Sequence, residues 1–414
     1  MSYTALFRVF GRIGLLSFGG PAAQIALMHK ELVEDRDWLT EDQFLRALSF
    51  CMLLPGPEAM QLATYAGWRQ RGILGGLLAG GLFVIPGAIL IAILALLYGA
   101  YGGLDWVQSA FLGVQATVIV IVIGALLKVS KRALKSRIEI SIAVLAFVAL
   151  FLLSLPFPLV VIAAAIFGAT QQTTVSTQTN AGPTQAQSPW AIIFFGLVIW
   201  FLPIGLALAN GQTLLTEIGF FFSKLAVVTF GGAYAVLAYM TQDVVSTMGW
   251  LSTEQMMDAL GLAETTPGPL ILVTQFVAML TGVFNGGTGL AIAAGAMALW
   301  VTFVPCFIWI FAGAPLIDWL ESQPRLRGAL SAITAAVVGV IANLSIWFAM
   351  HVFFRDTDVI TYGPINTTLP EIGTLQPLPI ALAIMAGVLM LVRGWNMLLT
   401  LGIMAIASVF LALL

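Results

Sequence analysis

The chain has 414 residues, of which 60% are hydrophobic and 9% charged, far below the roughly 25% charged residues of soluble domains. That composition excludes a soluble globular protein and describes a polytopic membrane protein, whose formal net charge of −2 says little about where Lys and Arg fall. Cys51 and Cys306, with His29 and His351, are too few and too scattered for a CxxC pair, a metal cluster or a nucleophilic triad, and outside Lys128 to Arg137 no basic run suits nucleic acid.

In chain order, helices are predicted at about 3–34, 40–71, 73–101, 104–130, 138–154 and 157–170. The last two are short against the ~20 apolar residues a membrane crossing needs. A polar, uncharged stretch at 171–188 reads as a linker, and 189–209 is one further transmembrane helix. Helices then follow at about 214–247, 252–282, 286–313, 325–354, 377–393 and 395–414, about thirteen segments in all. The expected fold is all-α, with an N-terminal repeat at 1–170 and a C-terminal repeat at 210–414. The first residues lack an apolar core followed by a small-residue cleavage site, so no removed signal peptide is expected.

The two halves are copies. Residues 10–57 align without a gap on residues 222–269, with sixteen identities at a constant offset of 212. Ser17-Phe18-Gly19-Gly20 matches Thr229-Phe230-Gly231-Gly232, and Pro55-Gly56-Pro57 matches Pro267-Gly268-Pro269, with Thr266 beside the latter. Gly and Pro free or remove backbone hydrogen bonds, which lipid cannot replace, so broken backbone persists only where protein or a water-filled cavity covers it. Paired interruptions in corresponding places of two halves point to a transporter's binding site.

Six crossings, then the unmatched segment as a seventh, would start the second copy on the opposite face, so the repeats are expected to be inverted. With the N-terminus inside, Arg8, Arg12, Arg69, Arg71, Lys128, Lys131, Arg132, Lys135, Arg137, Arg325, Arg327 and Arg393 fall on the cytoplasmic side. Lys30, Arg36, Arg46 and Arg355 fall outside, which obeys the positive-inside rule and places the C-terminus outside.

The run SFGGPAAQIALMHKELVEDRDWL at 17–39, followed by LLPGPEAMQLATYAGW at 53–68, closely resembles the chromate ion transporter family, and the degenerate second copy resembles that family's long, two-domain members. The resemblance implies a bacterial inner-membrane protein that exports chromate from the cytoplasm, driven by membrane energy. Chromate shares sulfate's size and charge, so sulfate or another tetrahedral oxyanion is the alternative cargo. In the second half Pro21 is replaced by Ala233, Glu58 by Leu270 and Gln61 by Val273, so the halves are not expected to do identical work.

An anion site also follows from the residues themselves. A helix resumed after a break exposes N–H groups at the positive end of its dipole, and Ser17 and Thr229 add hydroxyls beside glycines that let a ligand approach the backbone. Close packing of small residues is the competing explanation for one such motif; its duplication together with the Pro-Gly-Pro pair favours binding. Arg12 and Lys224 recur at the same offset and could supply positive potential or snorkel to an interface.

The acids Glu31, Glu34, Asp35, Asp37, Glu41 and Asp42 read as a solvated connection. Glu58 directly follows Pro57, where the helix dipole favours it and where a dry carboxyl could exchange a proton; Glu264 is its nearest second-half counterpart. Gln61 could donate to substrate or hold Glu58, while Gln115 and Asn343 could line the path or bond between helices. Trp38 and Trp250 read as interfacial anchors before N-capped helices, and glycines 72, 75, 76, 80 and 81 as close helix packing.

The expected partners are the oxyanion, the lipid bilayer and protons or a counter-anion, with a homodimer left open and no nucleic acid. No cofactor is expected, and the absence of a GxxxxGK[ST] motif argues against ATP hydrolysis. An embedded enzyme would need carboxylates paired at helical spacing within the membrane, HExxH or a nucleophile near a His, none of which is found here; an anion channel is the remaining rival.

Overall fold

The computed structural model describes residues 2–413 apart from 19, 172–188, 231–232, 318–322 and 364. The 171–188 linker and Gly19, Gly231 and Gly232 of the duplicated motif therefore fall wholly or largely outside the described residues. Helices dominate. Among the described residues five are long and apolar enough to cross a membrane, and three shorter apolar helices accompany them.

The first predicted segment is two helices, α1 (Tyr3–Leu16) and α2 (Gly20–His29), the latter continued by a wide π-type turn over Lys30–Glu34. The second is α3 (Glu41–Leu53) and the first part of α4 (Glu58–Tyr101), which breaks again at Arg71 and Gly72. Neither segment crosses as a single rod, as the sequence had suggested. A continuous helix would hold residues 12 and 31 roughly 28 Å apart at 1.5 Å per residue, yet Arg12 Nε lies 3.5 Å from a Glu31 carboxylate oxygen. Likewise the Gln70 side chain donates to the Trp38 carbonyl at 2.8 Å, and the Arg71 guanidinium sits over the Tyr3 ring. Each segment therefore doubles back, the first beyond the Ser17–Phe18 turn and the second at Pro55–Pro57. Lys30, Arg36 and Arg46 consequently share a side with Arg71 and the chain start, a correction to their expected place across the membrane from them.

The second half repeats this local structure. Helices α5 (Asp105–Ala133), α6 (Arg137–Phe151), α7 (Phe157–Thr170) and α8 (Trp190–Ala209) intervene. Then come α9 (Thr213–Val228), α10 (Ala233–Thr241) with a π-type turn at Gln242–Thr247, α11 (Thr253–Thr265), and α12 (Val273–Gly313), broken at Gly286 and Gly287. The Trp38 amide donates to the Leu32 carbonyl at 2.8 Å, and the Trp250 amide to the Val244 carbonyl at 3.0 Å, the same bond 212 residues on. Thr40 and Ser252 each cap the next helix, their hydroxyls accepting from the Gln43 and Gln255 amides at 3.2 Å. The N-cap reading of both sites holds.

Near the first of these turns His29 bridges α2 to α3, with Nε2 2.6 Å from Glu41 and Nδ1 3.1 Å from Glu34. The hydrogen bond to Glu41 is the main cause that raises the His29 pKa above its ordinary value. A raised pKa means that this stabilisation is complete below the unfolded value and disappears as pH climbs through the folded one. We expect thermal stability in detergent to fall as pH climbs above histidine's ordinary value of about 6.5; a His29→Gln variant should lose that part of the pH dependence, and an unchanged pH profile would refute the bridge.

The chain closes with α13 (Pro324–Phe353), an antiparallel pair β1 (Thr357–Tyr362) and β2 (Ile365–Pro370), α14 (Pro377–Gly387) and α15 (Met397–Ala412). The β-pair departs from the all-α expectation.

Two compact units interleave the sequence halves: residues 1–96, 172–233 and 266–327 form the first, and residues 97–171, 234–265 and 328–414 the second. In the first, α12 packs on α8 and α9, and the indoles of Trp200 and Trp300 donate to the carbonyls of Val301 and Ile199. In the second, α5 packs on α15 and α14 around Ala116, Val120, Leu382, Ala386 and Met404. Small residues permit close approach there: a Cβ at Gly113 would lie 2.1 Å from the Met404 carbonyl oxygen.

Candidate functional site: the crossed helix breaks

Both SFGG-type breaks end their helix in the same way. Ser17 has φ −76° and ψ 59°, Thr229 φ −77° and ψ 87°, close to an inverse γ-turn. The Phe18 amide accordingly donates to the Leu16 carbonyl at 2.9 Å and the Phe230 amide to the Val228 carbonyl at 3.1 Å. Each hydroxyl turns back on its own helix: Ser17 Oγ donates to the Ile13 carbonyl and Thr229 Oγ1 to the Leu225 carbonyl, both at 2.5 Å. Such back-bonding bends a helix end. Ser17 and Thr229 are each 1% exposed, so the hydroxyls anticipated as anion donors are committed to the backbone in this arrangement.

The Pro-Gly-Pro breaks meet these turns crosswise within the first unit. The Gly56 amide donates to the Thr229 carbonyl at 2.9 Å, and the Gly268 amide donates to the Ser17 carbonyl at 2.9 Å. Gly56 belongs to the first repeat and Thr229 to the second; Gly268 and Ser17 are their counterparts at the offset of 212. Residue i bonds j′ while i′ bonds j, the exchange that a two-fold axis produces between like surfaces.

Glycine is required at both donors, because φ is +116° at Gly56 and +92° at Gly268 and a Cβ is disfavoured there. Around Gly56 space is also short: a Cβ would lie 2.8 Å from Cys306 Sγ and 2.9 Å from Gln61 Nε2. Gln61 donates to the Pro55 carbonyl at 2.7 Å, and its buried Oε1 has no hydrogen-bond partner among the described residues. Gln24, which the sequence did not single out, donates at once to the carbonyls of Gly268 at 2.7 Å and Ser17 at 3.2 Å. Its counterpart is Val236. Both side-chain amides at the crossing thus come from the first repeat, and its two Gln-to-Val differences were the available signal.

Pro57, Phe18, Gly20 and Phe230 are half-buried beside these turns, while Thr266, Pro267 and Pro269 are buried. Cys306 and Cys51 are free and buried, as expected of core residues. The charged candidates are placed differently. Arg12 is 61% exposed and pairs with Glu31, which is only 3% exposed and also takes a charged hydrogen bond from Arg36. Glu31 is therefore no solvated loop acid. Lys224 is exposed and Glu58 half-buried at the first turn of α4. Glu264 is buried in the second unit, accepting from the Tyr234 hydroxyl at 3.0 Å. There too, Gln115 reaches Asp258, an acid that the sequence reading passed over.

The chromate transporter family model matches residues 4–169 and 216–410. The chain belongs to the chromate transporter family. It is 30% identical over 366 residues to a chromate transport protein of Cupriavidus metallidurans, covering 83% of this chain and 82% of that one. It is 32% identical over 352 residues to a chromate transport protein of Pseudomonas aeruginosa, covering 84% and 81%. A probable chromate transport protein of Synechococcus elongatus is 30% identical over 351 residues, with 83% of each chain covered. No solved structure matches. The two matched stretches bracket the polar linker and all of α8, so the chromate transporter family match covers both repeats and both pairs of breaks.

Proposed function

We propose that this chromate transporter family member is a secondary active transporter that exports chromate from the cytoplasm, coupled to the proton gradient, with its anion site at the crossed helix breaks. The observation that carries this reading is the reciprocal pair of bonds from Gly56 to Thr229 and from Gly268 to Ser17. Crossing the breaks brings resumed helix starts of both repeats to one place, and amides at such starts suit an oxyanion. Ser17–Gly20, Pro55–Pro57, Gln61, Thr229–Gly232 and Thr266–Pro269 form this site in the proposal. Glu58 and Glu264 are its coupling acids, and Arg12 and Lys224 add positive potential at its approaches.

The same bonds support inverted repeats. Thirteen apolar segments resolve into nine crossings and four doubled-back segments, the second repeat's broken segments being taken as counterparts of the first's. An odd number of crossings keeps the C-terminus outside when the N-terminus is cytoplasmic. With Lys30, Arg36 and Arg46 joining the cytoplasmic set, the charge bias becomes steeper.

Labelled chromate flux in everted membrane vesicles, with and without an imposed proton gradient and with excess sulfate, tests the whole reading. Gradient-dependent accumulation is expected; absence of specific flux would overturn it, and stronger sulfate transport would transfer the site to sulfate. Because their hydroxyls are committed to Ile13 and Leu225, Ser17→Ala with Thr229→Ala should slow flux about three- to tenfold through misplaced turns, a loss of about 1 kcal/mol, while membrane abundance stays normal. Undiminished flux would remove both hydroxyls from the site.

A further inference from the structure

We infer that Asp258 is a proton-carrying group of the transport cycle, built to be satisfied in both protonation states by Tyr98 and Gln115. The inference rests on the reading that transport is proton-coupled. Asp258 lies on α11, fully buried. One carboxylate oxygen accepts from the Tyr98 hydroxyl at 2.6 Å and the other from the Gln115 side-chain amide at 2.7 Å. All three residues belong to the second unit and come from three helices, α11, α4 and α5.

A buried carboxylate in a membrane protein is costly, and the usual remedy is a cation. Asp258 has none: no Lys, Arg or His forms an ion pair with it among the described residues. The titratable group facing it from α4 is Tyr98, and α5 presents the neutral Gln115. The charges of α5 itself, Asp105, Lys128, Lys131 and Arg132, stand ten or more residues from Gln115. On α11, Glu254 is one turn away and of like sign.

The donor set is what permits reversible protonation. With Asp258 ionised, Tyr98 and Gln115 each donate to it. When a proton arrives on the oxygen facing Tyr98, the new O–H can donate to the tyrosine oxygen, whose own hydrogen rotates away, and the Gln115 bond is unchanged. A lysine or arginine in place of these partners would fix the charge, since neither can accept a hydrogen bond.

Helix packing alone does not ask for this acid. The counterpart of Asp258 in the first repeat is Arg46, an exposed residue paired with Asp42. Glu264 follows six residues along α11, about 9 Å at 1.5 Å per residue, and is also held by a tyrosine hydroxyl. Its first-repeat counterpart is Met52. Two tyrosine-held carboxyls thus stand on the one helix that runs into Pro267-Gly268-Pro269.

The test uses the full chain in proteoliposomes, with labelled chromate accumulation under an imposed proton gradient, chromate–chromate exchange without one, and proton movement read by a trapped pH dye. Asp258→Asn should lower gradient-driven accumulation at least about tenfold while exchange stays within about threefold and loses its pH dependence. Tyr98→Phe, which removes a donor that favours the ionised form, should move the pH midpoint of exchange upward. Gradient-driven accumulation with normal proton movement in Asp258→Asn would overturn the inference. So would parallel loss of exchange and accumulation in that variant combined with an unmoved pH profile in Tyr98→Phe, which would mark Asp258 as a structural cross-link. Chromate accumulation by the wild type that ignores the imposed proton gradient would instead overturn the coupling reading, and the Asp258 assignment with it.

Discussion

Replacing Gly56 by alanine should cut chromate flux at least about thirtyfold while the protein still reaches the membrane. Left-handed strain of about 1–3 kcal/mol adds to about 1–3 kcal/mol of overpacking, because the new Cβ would meet Cys306 Sγ at 2.8 Å as well as Gln61. Even the lower sum, about 2 kcal/mol, depopulates the crossed arrangement by a factor of about thirty. Gly268→Ala carries the same kind of strain but meets only the end of Leu272 at 3.1 Å, so its deficit should be smaller. Flux normalised to membrane abundance checks both. Wild-type flux in Gly56→Ala, or a reversed order of the two variants, would show that transport does not need the crossed bonds.

The second large effect concerns stability. Arg36→Ala should destabilise the first doubled-back segment by about 3 kcal/mol, the low end of what removing one partner of a buried pair costs. Glu31 would remain buried with only the more distant Arg12 for compensation. Glu31→Gln in the same background should restore most of the loss, since it removes the stranded charge. The readout is thermal unfolding in detergent together with proteolysis in the 35–40 connection. A large loss in Arg36→Ala without rescue by Glu31→Gln would assign the effect to the arginine's own packing.

Much of this architecture is legible in the sequence because membrane helices announce themselves through apolar length, and their ends through Gly, Pro and capping residues. Gly72, Thr40 and Ser252 fall where helix ends were expected, and the 212-residue offset reappears as identical turns. What hydropathy could not convey is direction. The segment at 3–34 is equally apolar whether its chain crosses or returns at Ser17–Gly20, and only the long-range pairs Arg12–Glu31 and Trp38–Gln70 distinguish the two. The same limit hid Glu31, whose acidic neighbours are all exposed, and Gln24, whose two acceptors lie 7 and 244 residues away. The β-pair did carry a local signal, the Thr, Val, Ile and Tyr residues that flank Gly363.

The exchanged bonds also govern what half of this molecule could do. A polypeptide ending after α7 would hold the Gly56 amide and the Ser17 carbonyl with their mates supplied by the missing half, and hydrocarbon offers no replacement. Such a fragment could complete itself only by meeting a second fragment inserted upside down. Severing the chain within the polar connection, by contrast, leaves each donor and acceptor present on one piece or the other, so the two pieces made together should recombine into a working carrier.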